Sequence, residues 1–339
     1  MLQKKIQLSF FGVNVEICSD NEDVLKHLGR DFAYFSADSV KPDVWLTVTL
    51  AEPPYQQVPE VTASMYLSQS IVYDFDNIRY VDYKSRALSI LDYSTNKAWV
   101  YSADASFLHE ISYLLVLSRV GELLDKKGMH RIHGLGFSVQ GKAVICLLPM
   151  GGGKTTLALS LLKTGSAKIL SDDILLVNKA GIFLPFPLRI GVDKASIGSE
   201  IPPGFLREFN RSQYGPKILI DVEYFRSQIS SDSKPWIILI GSRRFSSQSS
   251  IIPRHKLYAL RYLIRDCVVG MGLPQMVEYF FRARPGDLVC KFFIAISRFL
   301  VCLKIMLKSK VYTFELGIDK TANARVLDEF LQKSAKQGI

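Results

Sequence analysis

The chain has 339 residues, a length that favours two domains. With 48% hydrophobic and 22% charged residues, it can bury an ordinary globular core. Its five cysteines are odd in number and far apart, without a CxxC pair, which argues against a disulfide framework or a cysteine zinc site and predicts a cytoplasmic location. The net charge of +10 indicates anionic partners such as nucleotides, acidic peptides or anionic lipids, but no nucleic-acid-binding motif accompanies it, and we expect no nucleic-acid partner.

Residues 1–104 are expected to form a β-rich domain whose role the sequence does not indicate. Segments such as KIQLSFFGVNVEIC, DVWLTVTL and IRYVDY alternate apolar with polar residues or are rich in β-branched and aromatic types. From residue 105 to residue 128 the apolar residues recur at helical spacing, and Gly128 is a typical helix stop. The pattern predicts a connecting helix between this domain and a second domain, 129–339.

The second domain contains a glycine-rich stretch, LLPMGGGKTTLAL, between a predicted strand and a predicted helix from Lys154 to about Thr164. A phosphate-binding P-loop has this order, because backbone N–H groups of a tight turn and a helix N-terminus surround the phosphates. A lysine then reaches the β- and γ-phosphates, and the next hydroxyl holds Mg²⁺. The predicted nucleotide-binding residues are Gly151, Gly152, Gly153, Lys154, Thr155 and Thr156.

Leu148 stands where such a loop normally opens with a glycine. Pro149 and three consecutive glycines could re-route the turn one or two residues later. The alternative is a plain glycine turn before a core helix.

An acidic pair, Asp172-Asp173, follows Lys154 by eighteen residues, at the end of the next predicted strand in KILSDD. Adjacent carboxylates on an extended backbone point to different sides, so one can hold a metal ion while the other faces a phosphoryl acceptor. The alternative for the pair is a turn cap.

With these motifs in place, residues 129–187 resemble the P-loop kinases of the HPr kinase/phosphorylase type, which are similar to phosphoenolpyruvate carboxykinases. The resemblance rests on His133-Gly134, the strand pair after it, GGGKTT and SDD. It implies an α/β fold with a P-loop kinase domain, and ATP and Mg²⁺ as cofactors. It further implies active-site roles for His133 and Lys154, with Thr155 and Asp173 holding Mg²⁺ and Asp172 acting as general base; the two aspartate roles are exchangeable.

The predicted function is transfer of the γ-phosphoryl group of ATP to a Ser or Thr hydroxyl of a protein or peptide. The signature loop that follows the acidic pair in the phosphorylase members is not seen, which favours a kinase without the reverse reaction. Two alternatives stay open: a kinase of the same fold that acts on a small hydroxylated molecule, and a nucleotide-binding or partner-docking protein without catalysis. Homo-oligomers also stay open.

Several arginines are candidates for binding phosphate or an acidic acceptor. Arg189 follows the acidic pair at a distance that could return it to the phosphates. Arg243, Arg244 and Arg254 could bind an acidic acceptor. A solvated surface position is the alternative for each arginine.

Residues 291–310 form an apolar segment that Arg298 and Lys304 interrupt, so a membrane span is not expected. Helical spacing places seven apolar residues on one face, predicted to be the core face: Phe292, Phe293, Ile296, Phe299, Leu300, Leu303 and Leu307. The opposite face, with Lys291, Arg298, Lys304 and Lys308, is predicted to be solvated. The alternative is a helix that docks on a membrane surface or a partner, because Ile294, Val301 and Ile305 make the basic face partly apolar.

Overall fold

The computed structural model describes residues 4–149, 151–194, 201–211, 215–273, 277–282 and 284–336. The fold is mixed α/β with several sheets, and the chain divides into two compact units. Unit 1 comprises residues 1–124, 191–224 and 274–288, and unit 2 comprises 125–190, 225–273 and 289–339. The domain limits expected from the sequence do not anticipate that 191–224 and 274–288 cluster with the N-terminal residues.

Unit 1 is built around an eight-stranded sheet of order β1-β2-β3-β8-β7-β6-β5-β4, in which β2, β3 and β8 run parallel to one another. A second sheet has the order β15-β17-β16. With strands and helices numbered along the chain, the elements are β1 Lys4–Phe10, β2 Val13–Ser19, α1 Glu22–Asp31, β3 Val44–Leu50, β4 Ala63–Tyr66, β5 Ile71–Phe75, β6 Ile78–Asp82, β7 Leu88–Asp92, β8 Lys97–Ser102, α2 Ala105–Lys126, β15 Ile190–Val192, β16 Leu206–Arg211, β17 Gly215–Ile220, α4 Val222–Phe225 and α6 Val277–Phe280.

Unit 2 contains a six-stranded sheet of order β12-β10-β11-β18-β20-β19 and a smaller sheet of order β14-β13-β9. Strands β11, β18 and β20 are parallel neighbours, and their apolar side chains form a core with those of β9, β13 and α7. The elements are β9 His130–His133, β10 Leu135–Val139, β11 Lys142–Leu147, α3 Lys154–Thr164, β12 Lys168–Ser171, β13 Ile174–Val177, β14 Phe183–Leu184, β18 Lys234–Arg243, β19 Ser250–Arg254, α5 Leu260–Leu263, a π-helix Ile264–Val269, α7 Pro285–Lys308, β20 Lys310–Leu316 and α8 Lys320–Lys336.

Two stretches of chain connect the two sheets of unit 2, and they lie next to each other. The chain leaves β9 at His133 and enters β10 after Gly134, while β12 ends at Ser171 and β13 begins after Asp173. The backbone N–H of Gly134 donates to the carbonyl oxygen of Asp173 at 3.1 Å, which ties the two crossings together. The His-Gly pair and the acidic pair, far apart in sequence, therefore lie side by side beyond the end of β11.

Helix α7 buries Arg298 and exposes most of the face expected to lie in the core, so the prediction is wrong there, whereas Lys304 and Lys308 are exposed as expected. Its buried residues include Ile294, Arg298, Val301 and Ile305, whereas Phe292 is 63% exposed. The reason is a charge pair: the guanidinium of Arg298 is 1% exposed and donates to both carboxylate oxygens of Asp125, at 3.1 and 2.6 Å, and to two backbone carbonyls. A paired arginine can lie in a core, and spacing alone does not reveal its partner.

The described helices include none that combines the length and the apolar character needed to cross a membrane.

Candidate functional site

The glycine-rich loop leaves the end of β11 and enters α3 through a left-handed turn. Gly151 has φ +71° and Gly153 has φ +104°, conformations that are strained for any residue with a Cβ atom. The N–H of Gly152 donates to the carbonyl of Pro149 at 2.9 Å. The first intrahelical hydrogen bond of this end runs from Leu157 N–H to Gly153 O, and no side chain caps the helix. The amides of the first turn therefore face the loop without an acceptor inside the helix.

Leu148 is fully buried beneath this loop and packs over Gly241 of β18. A Cβ atom on Gly241 would lie 2.0 Å from Leu148 Cδ2, and one on Gly152 would lie 3.2 Å from Leu148 Cβ. The leucine that replaces the opening glycine is thus accommodated between the loop and the sheet.

The Lys154 side chain is buried and folds back along the loop. Its Nζ donates to the carbonyl oxygens of Leu148 at 3.0 Å and Pro149 at 3.4 Å, and it lies 3.0 Å from His133 Nε2. Burial, assisted by the charge of Lys154 and opposed by that of Asp173, lowers the pKa of His133. A neutral His133 whose Nε2 accepts from the ammonium carries its proton on Nδ1, which faces Asp173 Oδ1 at 3.4 Å.

The two aspartates point in different directions, as adjacent residues between strands are expected to do. Asp172 Oδ2 accepts a hydrogen bond from Thr155 Oγ1 at 3.0 Å. The Asp173 carboxylate faces His133 and is 55% exposed. Asp172 is thus associated with the loop, and Asp173 with the histidine.

Of the three arginines proposed for an acidic acceptor, Arg243 has its guanidinium at the loop. It donates to the carbonyl of Gly317 at 3.0 Å, and a Cβ on Gly153 would lie 2.9 Å from its Nη2. Arg244 pairs with Glu315 and Arg254 donates to Thr313, both at the β19–β20 edge of the sheet. Arg189 is half-buried between β14 and β15, and its role stays a prediction.

The π-helix contributes charged residues near His133 that the sequence analysis missed. Asp266 is buried and receives two hydrogen bonds from Arg265, at 2.6 and 2.8 Å, and the charges of both residues act on the His133 imidazole. Just beyond this helix, Gly272 has φ +84°, and a Cβ there would lie 2.8 Å from His133 Nε2. The backbone at Gly272 therefore limits the space for the imidazole ring. A π-helix has no apolar spacing of its own, and no feature of the sequence indicated it.

The residues at the loop suit a nucleotide phosphate chain with Mg²⁺. The donors are backbone amides, an ammonium and a guanidinium, and the oxygens of Thr155 and Asp172 are the ones that could hold a metal ion. The described part of the chain holds no cluster of three or more His, Cys, Asp or Glu side chains that could form a metal site. One hydroxyl and one carboxylate agree with Mg²⁺, which usually takes its other ligands from phosphates and water.

Neither a protein-family model nor a curated protein sequence matches this chain. Among solved structures, the Hpr(Ser) kinase/phosphatase from Coxiella burnetii is similar at 8% sequence identity with a TM-score of 0.28, over 61% of this chain and 97% of that one.

Proposed function

We propose that unit 2 binds ATP with Mg²⁺ and transfers the γ-phosphoryl group to a hydroxyl of a protein or peptide. The observation that carries this proposal is the position of Thr155 and Asp172, which share a hydrogen bond at the N-terminus of α3, next to the buried Lys154. A turn that served only to start a core helix has no need for a buried ammonium, a hydroxyl and a carboxylate together.

The nucleotide-binding role belongs to the loop and to α3. The amides of the first helical turn would donate to phosphate oxygens, and Lys154 would exchange its bonds to the Leu148 and Pro149 carbonyls for bonds to the β- and γ-phosphates. Bound Mg²⁺ would neutralise charge on the phosphates during transfer. The guanidinium of Arg243 would add positive charge at Gly153.

The two aspartates are assigned in the exchanged order. Asp172, hydrogen-bonded to Thr155, would hold the metal, and Asp173, exposed and beside His133, would act as the general base. In the reaction, the acceptor oxygen bonds to the γ-phosphorus, the bond from that phosphorus to the β-phosphate bridging oxygen breaks, and the hydroxyl proton passes to Asp173. His133, through its Nδ1–H, would orient that carboxylate.

The exposure of Asp173 favours an acceptor that comes from outside the domain, such as a Ser or Thr side chain on a peptide, over a small molecule enclosed in a pocket. Lys154 and Arg243 give the site positive charge, so acidic residues beside the acceptor hydroxyl would be attracted to the site. A basic peptide without acidic residues should be the poorer substrate.

Isothermal titration calorimetry with ATP, with and without Mg²⁺, tests the nucleotide-binding part. We expect Mg²⁺-dependent binding that Lys154→Ala abolishes and that Lys163→Ala, an exposed lysine near the end of the same helix, leaves unchanged. Transfer from ATP labelled at the γ-phosphate to a library of Ser- and Thr-containing peptides tests the kinase part. A folded parent protein that binds no nucleotide in either condition contradicts the proposal, and binding without transfer to any peptide or metabolite supports the non-catalytic alternative instead.

A further inference from the structure

Helix α7 presents a second apolar face, opposite to the one it buries. Phe292 and Phe293 are each 63% exposed, Leu307 is 61% exposed, and Val289, Ile296, Phe299 and Leu300 are exposed as well. At 100° per residue these side chains form one stripe about 120° wide that runs along the helix from residue 289 to residue 307. Ile294, Val301, Cys302 and Ile305 occupy the opposite, buried side.

A helix that is apolar on both sides is expected to be covered on both sides. Single exposed apolar side chains are common on protein surfaces, but a continuous stripe of seven on one helix marks a surface that binds something. Among the described residues, unit 2 covers one side of this helix and leaves the stripe exposed, so the stripe is available to a partner.

Basic side chains gather at the C-terminal end of the stripe. The Nζ atoms of Lys304 and Lys308 donate to the carbonyls of Lys179 and Ala180 in the turn between β13 and β14. Lys256 donates to the carbonyl of Leu307. The exposed lysines of this cluster are Lys179, Lys256, Lys304, Lys308 and Lys310.

Acidic residues are missing from this part of the sequence: 289–310, 178–181 and 254–258 contain no Asp or Glu. At 100° per residue Lys304 lies about 20° and Lys308 about 60° beyond the Phe293 edge of the stripe, so both flank it and neither lies opposite to it as first expected. An apolar stripe bordered by lysines is the arrangement of helices that lie in the surface of an anionic bilayer, where apolar side chains enter the acyl boundary and lysines stay with the headgroups.

We propose that the stripe and the lysine cluster of α7 dock unit 2 on the surface of an anionic lipid bilayer. A second copy of the chain fits less well, because pairing two stripes would bring together chains of net charge +10 without acidic residues along 289–310 to offset the lysines. Anionic headgroups supply the opposite charge, and the acyl region takes the stripe.

The test is co-sedimentation of the full chain with phosphatidylcholine vesicles that contain or lack phosphatidylglycerol. We expect binding to the anionic vesicles only, reduced by added salt. F292Q/F293Q should weaken binding about hundredfold because two phenyl rings no longer enter the bilayer. K304Q/K308Q should weaken it about 25-fold, since each lysine near an anionic surface contributes about fivefold.

Matched control variants distinguish specific docking from nonspecific adsorption to vesicles and from misfolding. Tyr66→Gln replaces an exposed aromatic residue of unit 1, and K41Q/K84Q removes two exposed lysines of unit 1. These variants should sediment like the parent, and all variants should unfold at the parent temperature. ATP binding should not change in F292Q/F293Q, which keeps this test independent of the kinase proposal.

Three results overturn the proposal. The parent chain remains in the supernatant with anionic vesicles, or F292Q/F293Q binds them as the parent does. The third is a dimer in sedimentation velocity without lipid that F292Q/F293Q dissociates, which assigns the stripe to a second copy.

Discussion

The side chain of Leu148 occupies the space over Gly241 that a side chain on β18 would otherwise fill. A Cβ on Gly241 would come within 2.0 Å of Leu148 Cδ2 and 2.4 Å of its Cγ. Leu148 has no exposed surface and also supports Gly152 of the loop. A leucine can replace the glycine that usually opens such a loop because the neighbouring strand has no side chain at this point.

Gly241→Ala should therefore push Leu148 toward the loop. We expect the free energy of unfolding of unit 2 to fall by about 1–3 kcal/mol, as for other overpacked cores. Leu148→Ala alone should cost about 2–5 kcal/mol through the cavity that it leaves. In the double variant the new methyl group enters that cavity, so the combined cost should be smaller than the sum by about 0.5–3 kcal/mol.

The measurement is urea unfolding followed by the fluorescence of Trp236 on β18, with Trp45 and Trp99 replaced by Phe. Gly286→Ala is the control, because a Cβ there would meet no atom within 4 Å. Additive costs in the double variant would mean that Leu148 and Gly241 do not share the space.

The aspartate assignment makes opposite predictions for two neighbouring residues. Asp172→Asn should weaken Mg²⁺-dependent ATP binding, because the carboxylate that accepts from Thr155 would hold the metal. Asp173→Asn should bind MgATP like the parent yet transfer phosphate about 10²–10⁴ times more slowly, which is the usual contribution of a general base. Calorimetry and single-turnover transfer separate the effects, and the reverse pattern would restore the first assignment, with Asp172 as base.

Arg243 and Arg244 offer a matched pair on one strand end. Arg243→Gln should weaken ATP binding, since its guanidinium lies at Gly153, whereas Arg244→Gln should not, since Arg244 is exposed and paired with Glu315. Each variant removes one positive charge, so a general electrostatic effect would weaken both equally. A loss of about 1.5–3 kcal/mol is expected for Arg243, the range for a hydrogen bond to a charged group. Equal affinities in the two variants would exclude Arg243 from the phosphate site.

The local parts of this structure could be predicted from sequence, and the long-range parts could not. The helix predicted from Lys154 to about Thr164 is confirmed at those bounds, and the helix predicted to stop at Gly128 ends at Lys126. Both predictions used spacing and glycine signals within one segment. Helix α1 was missed, although Asn21 caps it, because its ten residues lie among strands.

The predictions that failed depended on contacts between distant residues. The predicted buried face of α7 was wrong because the partner of Arg298 is Asp125, which is 173 residues away. Gly241 and the π-helix residues Arg265 and Asp266 were missed for the same reason. The candidate site could be outlined from His133, the loop and the acidic pair, but not the packing that supports it.

The Arg298–Asp125 pair should be a large contributor to the stability of unit 2. Burial raises the pKa of Asp125, but the Arg298 charge and the hydrogen bonds from His130 and Arg298 outweigh it and hold that pKa at about 2. Arg298→Met leaves a buried carboxylate without its main partner and should cost about 3–5 kcal/mol of unfolding free energy. Arg325→Met, an exposed position on α8, should cost little.

The same pair predicts an acid dependence. Because the folded pKa of Asp125 lies below the ordinary value of 3.8, its contribution to stability is complete above that value and is lost as the pH falls through about 2. Asp125→Asn should flatten the dependence of unfolding temperature on pH in this window. The role of this pair in stability would be contradicted if the unfolding temperature of Asp125→Asn fell with decreasing pH as that of the parent does. A loss of less than about 1 kcal/mol of unfolding free energy in Arg298→Met would contradict it too.

His133 should give unit 2 a second, milder pH dependence. Burial first, and the charge of Lys154 next, lower its pKa below the ordinary 6.5, so the unfolded chain binds a proton more readily than the folded one. Stability should therefore fall as the pH drops from 6.5 through the lower folded pKa. His133→Gln keeps an acceptor for Lys154 but cannot be protonated, so its unfolding temperature should vary less with pH over that interval. His255→Gln, an exposed histidine, is the control. An NMR titration in which His133 gains its proton at or above pH 6.5 would mean that Asp173 outweighs burial and Lys154, and His133 would then be a cation beside the phosphates.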